Sequence, residues 1–149
     1  MTTYAQRPWT QHYDSFVPHS LEPYPETVIH HYLTETTAQQ PDATALITTL
    51  KLPVLGRQDS HLSYQDLETH ANALAAALID LGLQKGDRVA IVMPNCVAFA
   101  VAYFGILKAG GVVAATNPTY PPKRMAYQIN DCDAKMVLCL SMFYEAIKQ

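Results

Sequence analysis

The spacing of hydrophobic positions changes along this chain, and the changes mark out its elements. Residues 1–25 show no sustained period: Pro8, Pro18, Pro23 and Pro25 stand among Trp9, Tyr13, Phe16 and Tyr24. Proline at that density holds a backbone extended, so this stretch reads as an arm. An arm with so many rings is expected to pack on its own domain or on a neighbouring subunit. From Thr27 to Gln39 the residues Val28, Ile29, Tyr32, Leu33 and Thr36 fall on one helical face, and Pro41 closes the helix.

Ala43 to Leu50 and His61 to Tyr64 are rich in extended-chain formers, and Pro53, Gly56 and Asp59 lie between them. The expectation is a strand pair with a long connection, the loop Lys51 to Ser60. Ser63 can cap the next helix, with Asp66 in its first turn. Leu67, Ala71, Leu74, Leu78 and Leu81 follow at steps of three and four, and Gly82 supplies a left-handed stop. After the turn Lys85-Gly86-Asp87, Arg88 to Met93 is an apolar strand with both faces covered. Asn95 is positioned to cap a helix from Cys96 to Lys108, whose apolar residues run nearly all round and predict burial. Lys108 is expected beside the terminal carbonyls, before the stop at Gly110-Gly111.

Val112 to Thr116 predicts another strand, Pro121 and Pro122 open a helix ending near Asp131, and Lys135 to Leu140 predicts a further strand. Ser141 can cap a last helix, which is barely begun where the sequence stops at Gln149. Helices and strands alternate from Tyr64 onward through short connections, the pattern of an α/β fold with a mainly parallel sheet flanked by helices. Residues 26–149 thus read as one incomplete α/β domain behind the arm.

Charge and composition narrow the function. Charged residues are 15% of the chain, against about 25% in typical domains, which predicts surface covered by something outside this sequence. The net charge is −3 and the cations are scattered, which argues against nucleic acid as a partner. Cys96, Cys132 and Cys139 are odd in number and lack CxxC spacing, so they read as reduced core thiols of a cytoplasmic protein. Met1 to Trp9 has no signal-peptide pattern. The apolar run Cys96 to Leu107 is too short for the ~20 residues of a membrane span. Contact with a membrane surface stays open, although no basic amphipathic helix supports it. His30, His31 and Glu26 supply only two converging ligands, so no metal site is expected. Neither GxGxxG nor GxxxxGK[ST] occurs, and no Ser-His-Asp set can be assembled.

One ordered series is more specific: Gly86-Asp87-Arg88-Val89-Ala90, Pro94-Asn95, Leu107-Lys108-Ala109-Gly110-Gly111, Asn117-Pro118, Pro121, Arg124, Tyr127, Asp131 and Ala134-Lys135. It resembles the early core motif of the adenylate-forming superfamily. Pro8-Trp9, His12-Tyr13, Val17-Pro18 and Asn117-Pro118-Thr119-Tyr120 resemble its long-chain fatty-acid:CoA ligase branch. The resemblance implies the N-terminal portion of a large AMP-binding domain in an enzyme that uses ATP, Mg2+ and CoA to activate a fatty acid. It also implies that Asn117, Pro118 and Thr119 line a CoA passage, and that the arm can mediate a homodimer.

Most motif residues have structural explanations as turn and cap positions. Arg124 could meet a phosphate, but at a spacing of seven from Asp131 it is expected rather to pair with that residue or to lie exposed. No catalytic residue is assigned. The phosphate-binding loop and catalytic lysine that the resemblance requires are not found, so the chain alone is expected to be inactive and to bind no cofactor tightly. Two alternatives stand beside this reading: a ligase for an aromatic or amino acid, and a non-enzymatic α/β binding or interaction module.

Overall fold

The computed structural model describes residues 6–52 and 56–148. The start of the arm and the Pro53 part of the expected loop lie outside the described residues. Pro8–His12 form a 3-10 turn in the arm, helix α1 is Ile29–Gln39, and strands β1 (Thr44–Leu52) and β2 (Gly56–Ser63) follow. Then come α2 (Tyr64–Asp80), β3 (Arg88–Val92), α3 (Val97–Lys108), β4 (Val112–Thr116), α4 (Pro122–Asp131), β5 (Ala134–Cys139) and a short α5 (Tyr144–Ile147).

β1 and β2 form an antiparallel pair, but the long connection is corrected. Pairing continues from Thr44 opposite Ser63 to Leu52 opposite Gly56, so most of the expected loop is strand. One side-chain hydrogen bond across the strands and one along β2 hold it there. Asp59 Oδ1 accepts from Thr49 Oγ1 at 2.6 Å and from Arg57 Nε at 3.0 Å. The Arg57 guanidinium, helped by Thr49, holds the Asp59 carboxyl below the usual carboxylate range.

β3 lies between β4 and β5 in a parallel sheet. Its central place explains its composition: Val89, Ala90, Ile91 and Val92 are all buried. Val89 and Ile91 pack with Leu78 and Leu83 from the α2 side and with Ala102 and Ile106 of α3. Ala90 and Val92 alternate to the opposite face, where α4 buries Met125. The chain moves from β3 to β4 and then back past β3 to β5. Right-handed crossovers in opposite directions place α3 and α4 on opposite faces.

Local signals account for the boundaries. Ser63 Oγ accepts from the Asp66 amide at 3.0 Å and caps α2 as expected. α2 ends at left-handed Gly82, with the Leu83 amide donating to the Leu78 carbonyl at 3.0 Å. α3 ends the same way at Gly110, and the Gly111 amide donates to the Ile106 carbonyl at 2.9 Å. The two glycine motifs meet: the Gly86 amide donates to the Gly110 carbonyl at 2.9 Å, and Val112 to the Asp87 carbonyl at 2.8 Å. A β-carbon on Gly111 would lie 3.3 Å from that Asp87 oxygen and 3.0 Å from Ile106 Cγ2. These motifs therefore build the amino end of the sheet. Arg88 does similar work, donating to the Cys132 carbonyl at 2.9 Å and pairing with Asp133.

Several expectations are corrected. α1 begins at Ile29 rather than Thr27, with Val28 at its cap position. Cys96 occupies the cap position of α3 and Asn95 makes no capping bond, because the chain is still leaving β3 there. Ala102, Gly105 and Ile106 are the fully buried residues of α3, the rest are half-buried and none is exposed, so the helix is enclosed as expected without being fully buried all round. Ser141 opens a 3-10 turn rather than capping a helix, and α5 begins after Phe143. The cysteines are unpaired and half-buried rather than fully in the core. In the arm the Tyr13 and His19 rings meet edge to face at 6.1 Å. Phe16 is 82% exposed, and Leu21 and Tyr24 are exposed as well, so the body does not cover these side chains.

Candidate functional site

The reversal of direction across the sheet creates a crevice at the carboxyl ends of β3 and β4, where α/β sheets characteristically receive ligands. A cleft of about 410 Å³ occupies this place. Met93, Pro94 and Asn95 leave β3 on one side, and Ala115 and Thr116 end β4 on the other. Phe99 of α3 forms part of the wall, and Asn117, Pro118 and Thr119 form the rim.

The rim is a self-supporting turn. Asn117 Oδ1 accepts from the Thr119 amide at 2.9 Å and from Thr119 Oγ1 at 2.8 Å, while the Tyr120 amide donates to the Asn117 carbonyl at 3.2 Å. Pro118 presets the backbone between them. Gln128 Nε2 of α4 donates to the Ala115 carbonyl at 3.1 Å and steadies the end of β4. Asn117 and Thr119 are exposed and Pro118 is half-buried, so the predicted segment reaches the cleft as a firm edge.

None of the cleft's lining residues is ionisable. Among the described residues its lining offers no general base, no carboxylate for Mg2+ and no cation for a triphosphate. Its combination of apolar walls and neutral hydrogen-bonding groups suits an uncharged chain that carries amides. This donor set does not fit the triphosphate and metal of ATP. Thr116, only 3% exposed with an unpartnered hydroxyl, is a cleft residue that sequence reasoning passed over. Its place as the last residue of an apolar strand was the available signal. Met93 and Phe99 were read as core.

Other named residues lie elsewhere. Arg124 lies exposed, the second of its expected places, and does not pair with Asp131: its guanidinium sits 4.0 Å from the centre of the Tyr120 ring. Lys108 does not turn to the carbonyls of its own helix. Its Nζ donates to Glu68 Oε1 at 2.7 Å and to Thr34 Oγ1 at 3.1 Å, joining α3 to α2 and α1. Among the described residues no three His, Cys, Asp or Glu side chains converge as a metal site, and no helix is long and apolar enough to cross a membrane.

A parallel sheet with helices on both faces and a crevice at its reversal point defines a ligand-binding α/β protein of the doubly wound kind. Within that class, residues 33–149 match the AMP-binding enzyme family, and the chain belongs to it. It is 38% identical over 145 residues to a long-chain-fatty-acid–CoA ligase of Bacillus subtilis, which covers 97% of this chain and 24% of the relative. It is also 44% identical over 77 residues to tyrocidine synthase 3 of Brevibacillus parabrevis, covering 52% of this chain and 1% of that one. Among solved structures, a Mycobacterium tuberculosis fatty acyl CoA synthetase superimposes with a TM-score of 0.67 at 27% identity. That match covers 80% of this chain and 22% of the other. The chain thus spans about a quarter or less of these relatives.

Proposed function

We propose that this chain is the N-terminal part of an ATP-dependent long-chain fatty-acid:CoA ligase, in which the cleft beside Asn117, Pro118 and Thr119 walls the CoA passage. The observation that carries the reading is the match to the Bacillus subtilis ligase over 97% of the chain, arm included. In the proposed reaction a fatty carboxylate oxygen attacks the α-phosphorus of ATP and pyrophosphate leaves. The CoA sulfur then attacks the acyl carbonyl and AMP leaves, giving the thioester. Mg2+ and cationic groups stabilise the first displacement. They are assigned to parts of the parent protein beyond these residues, because the cleft here has no charge. What this chain supplies is a rigid wall whose neutral polar groups suit the amides of the pantetheine arm.

The test uses the full-length protein from the same gene. Fatty-acid-dependent pyrophosphate exchange followed by CoA-dependent thioester formation is the expected result. Exchange with amino or aromatic acids only would transfer the assignment to that branch, a second reading favoured by the similarity to tyrocidine synthase 3. The 149-residue chain alone is expected to catalyse no exchange. The exposed Phe16, Leu21 and Tyr24 support a homodimer of the parent through the arm. Light scattering that gives a strict monomer would count against that contact.

A further inference from the structure

Strand β1 is composed as an inner strand, yet it has a neighbour on one side only. From Thr44 to Thr49 it carries no charge and no proline, and its one register irregularity lies at the start, between Thr44 and Leu46. Charges, prolines and bulges are what keep a natural strand edge from pairing. β2 has the charges: Arg57, Asp59 and His61 stand on a stretch that is exposed from Gly56 to His61. Among the described residues only β2 pairs with β1, and every second residue of an antiparallel pair turns its N–H and C=O away from the partner. A groove of about 400 Å³ lies beside β1. Leu46, Ile47, Thr48 and Thr49 all line it, with Cys96 and Phe99 at the start of α3 opposite and no residue of β2. Successive side chains of a strand alternate between its faces, so four in a row reach one groove only along the strand's outer edge.

We propose that the outer edge of β1 receives a third strand, contributed by the part of the parent polypeptide beyond these residues, so that the hairpin becomes the margin of a larger sheet with β2 as its charged rim. A two-stranded ribbon is marginal in water, and this one is bare along β2, so the missing support belongs at β1. That occupant depends on the proposed reading of the chain as part of a longer ligase. The Bacillus subtilis relative is matched over only 24% of its length, which leaves ample chain to supply a strand. A segment of the same polypeptide is held near the edge at an effective concentration that a second copy does not reach in dilute solution. The groove also sets the strand's chemistry. Its wall on α3 includes Val97, Phe99 and Ala100 and carries no charge, so the side chains turned that way are apolar and the main chain supplies the hydrogen bonds.

The experiment is hydrogen exchange of the full-length protein, resolved to single amides. The amides of Leu46, Ile47, Thr48 and Thr49 are all expected to exchange about a hundredfold or more slower than in an unstructured peptide, as in a strand paired on both sides. Fast exchange at every second amide, with protection only of those turned to β2, overturns the third strand. Dilution of the protein should leave the protection unchanged, and protection that falls on dilution overturns the same-chain occupant in favour of a second copy. Proline separates pairing from mere cover. Ile47→Pro and Thr48→Pro, made singly, should both lower the melting temperature, because a strand bonded on both sides spares neither amide, and tolerance of one of them overturns the pairing. The exchange pattern of the wild-type protein stands even if neither variant folds. Pyrophosphate exchange and thioester formation judge the ligase reading separately: an active ligase with alternating amides loses the third strand alone, and a protein with all these amides protected that activates no fatty acid loses the ligase reading alone.

Discussion

Thr116 ends β4 with its backbone in the ladder and its hydroxyl buried without a partner. A buried hydroxyl without a hydrogen bond opposes folding, so Thr116→Val, which keeps the shape, should raise stability by up to about 1 kcal/mol. Urea denaturation reads this, and a loss of similar size would show that the hydroxyl has an ordered partner. Lys108 presents the opposite case. Removing one member of a buried pair leaves an uncompensated charge, so Lys108→Met should cost about 3–5 kcal/mol. The double replacement Lys108→Met/Glu68→Leu should recover a large part of that loss. Lys108 was visible in the sequence as a cation at a helix end, whereas its partner Glu68 is 40 residues away in the chain. Helix-end rules describe only local partners, which is why the carbonyl contact was expected and the interhelical one was not.

At the scale of elements, caps and stops were the most legible features. Ser63 accepts from the Asp66 amide at 3.0 Å, and Ser63→Ala should therefore cost about 1 kcal/mol of thermal or urea stability. Gly105 shows what local propensity leaves out. Alanine there would gain about 1 kcal/mol of helix propensity, yet its β-carbon would lie 2.9 Å from Leu74 Cδ2 and 3.1 Å from Leu74 Cβ. Overpacking of this kind costs about 1–3 kcal/mol, so Gly105→Ala is expected to destabilise on balance, and a rise in melting temperature would contradict the close α2–α3 approach. The hairpin was only half legible. Its second strand is Gly56–Ser63, in which Gln58, Asp59 and Ser60 do not look like strand formers, and pairing with β1 overrode their preference.

At the scale of the molecule, the covered centre of the sheet contrasts with its margins. β4 and β5 each pair with β3 on one side only among the described residues, and Val112 and Met142 are exposed. Unpaired strand edges beside apolar side chains invite association. The isolated chain should therefore sediment with increasing apparent mass as its concentration is raised, while the full-length protein should not show that trend to the same degree.

The alternation of helix and strand, the glycine stops and the burial of β3 were determined by the sequence alone. Each of these follows from periodicity or backbone preference within a few neighbouring residues. The tertiary structure alone decided the order β4-β3-β5, the crevice this order opens, the partner of Lys108 and the stacking of Arg124 on Tyr120. Such contacts join elements whose separation along the chain carries no signal of their proximity. They arise when apolar faces are buried together, and the polar groups carried in with them must then find whatever partners lie within reach.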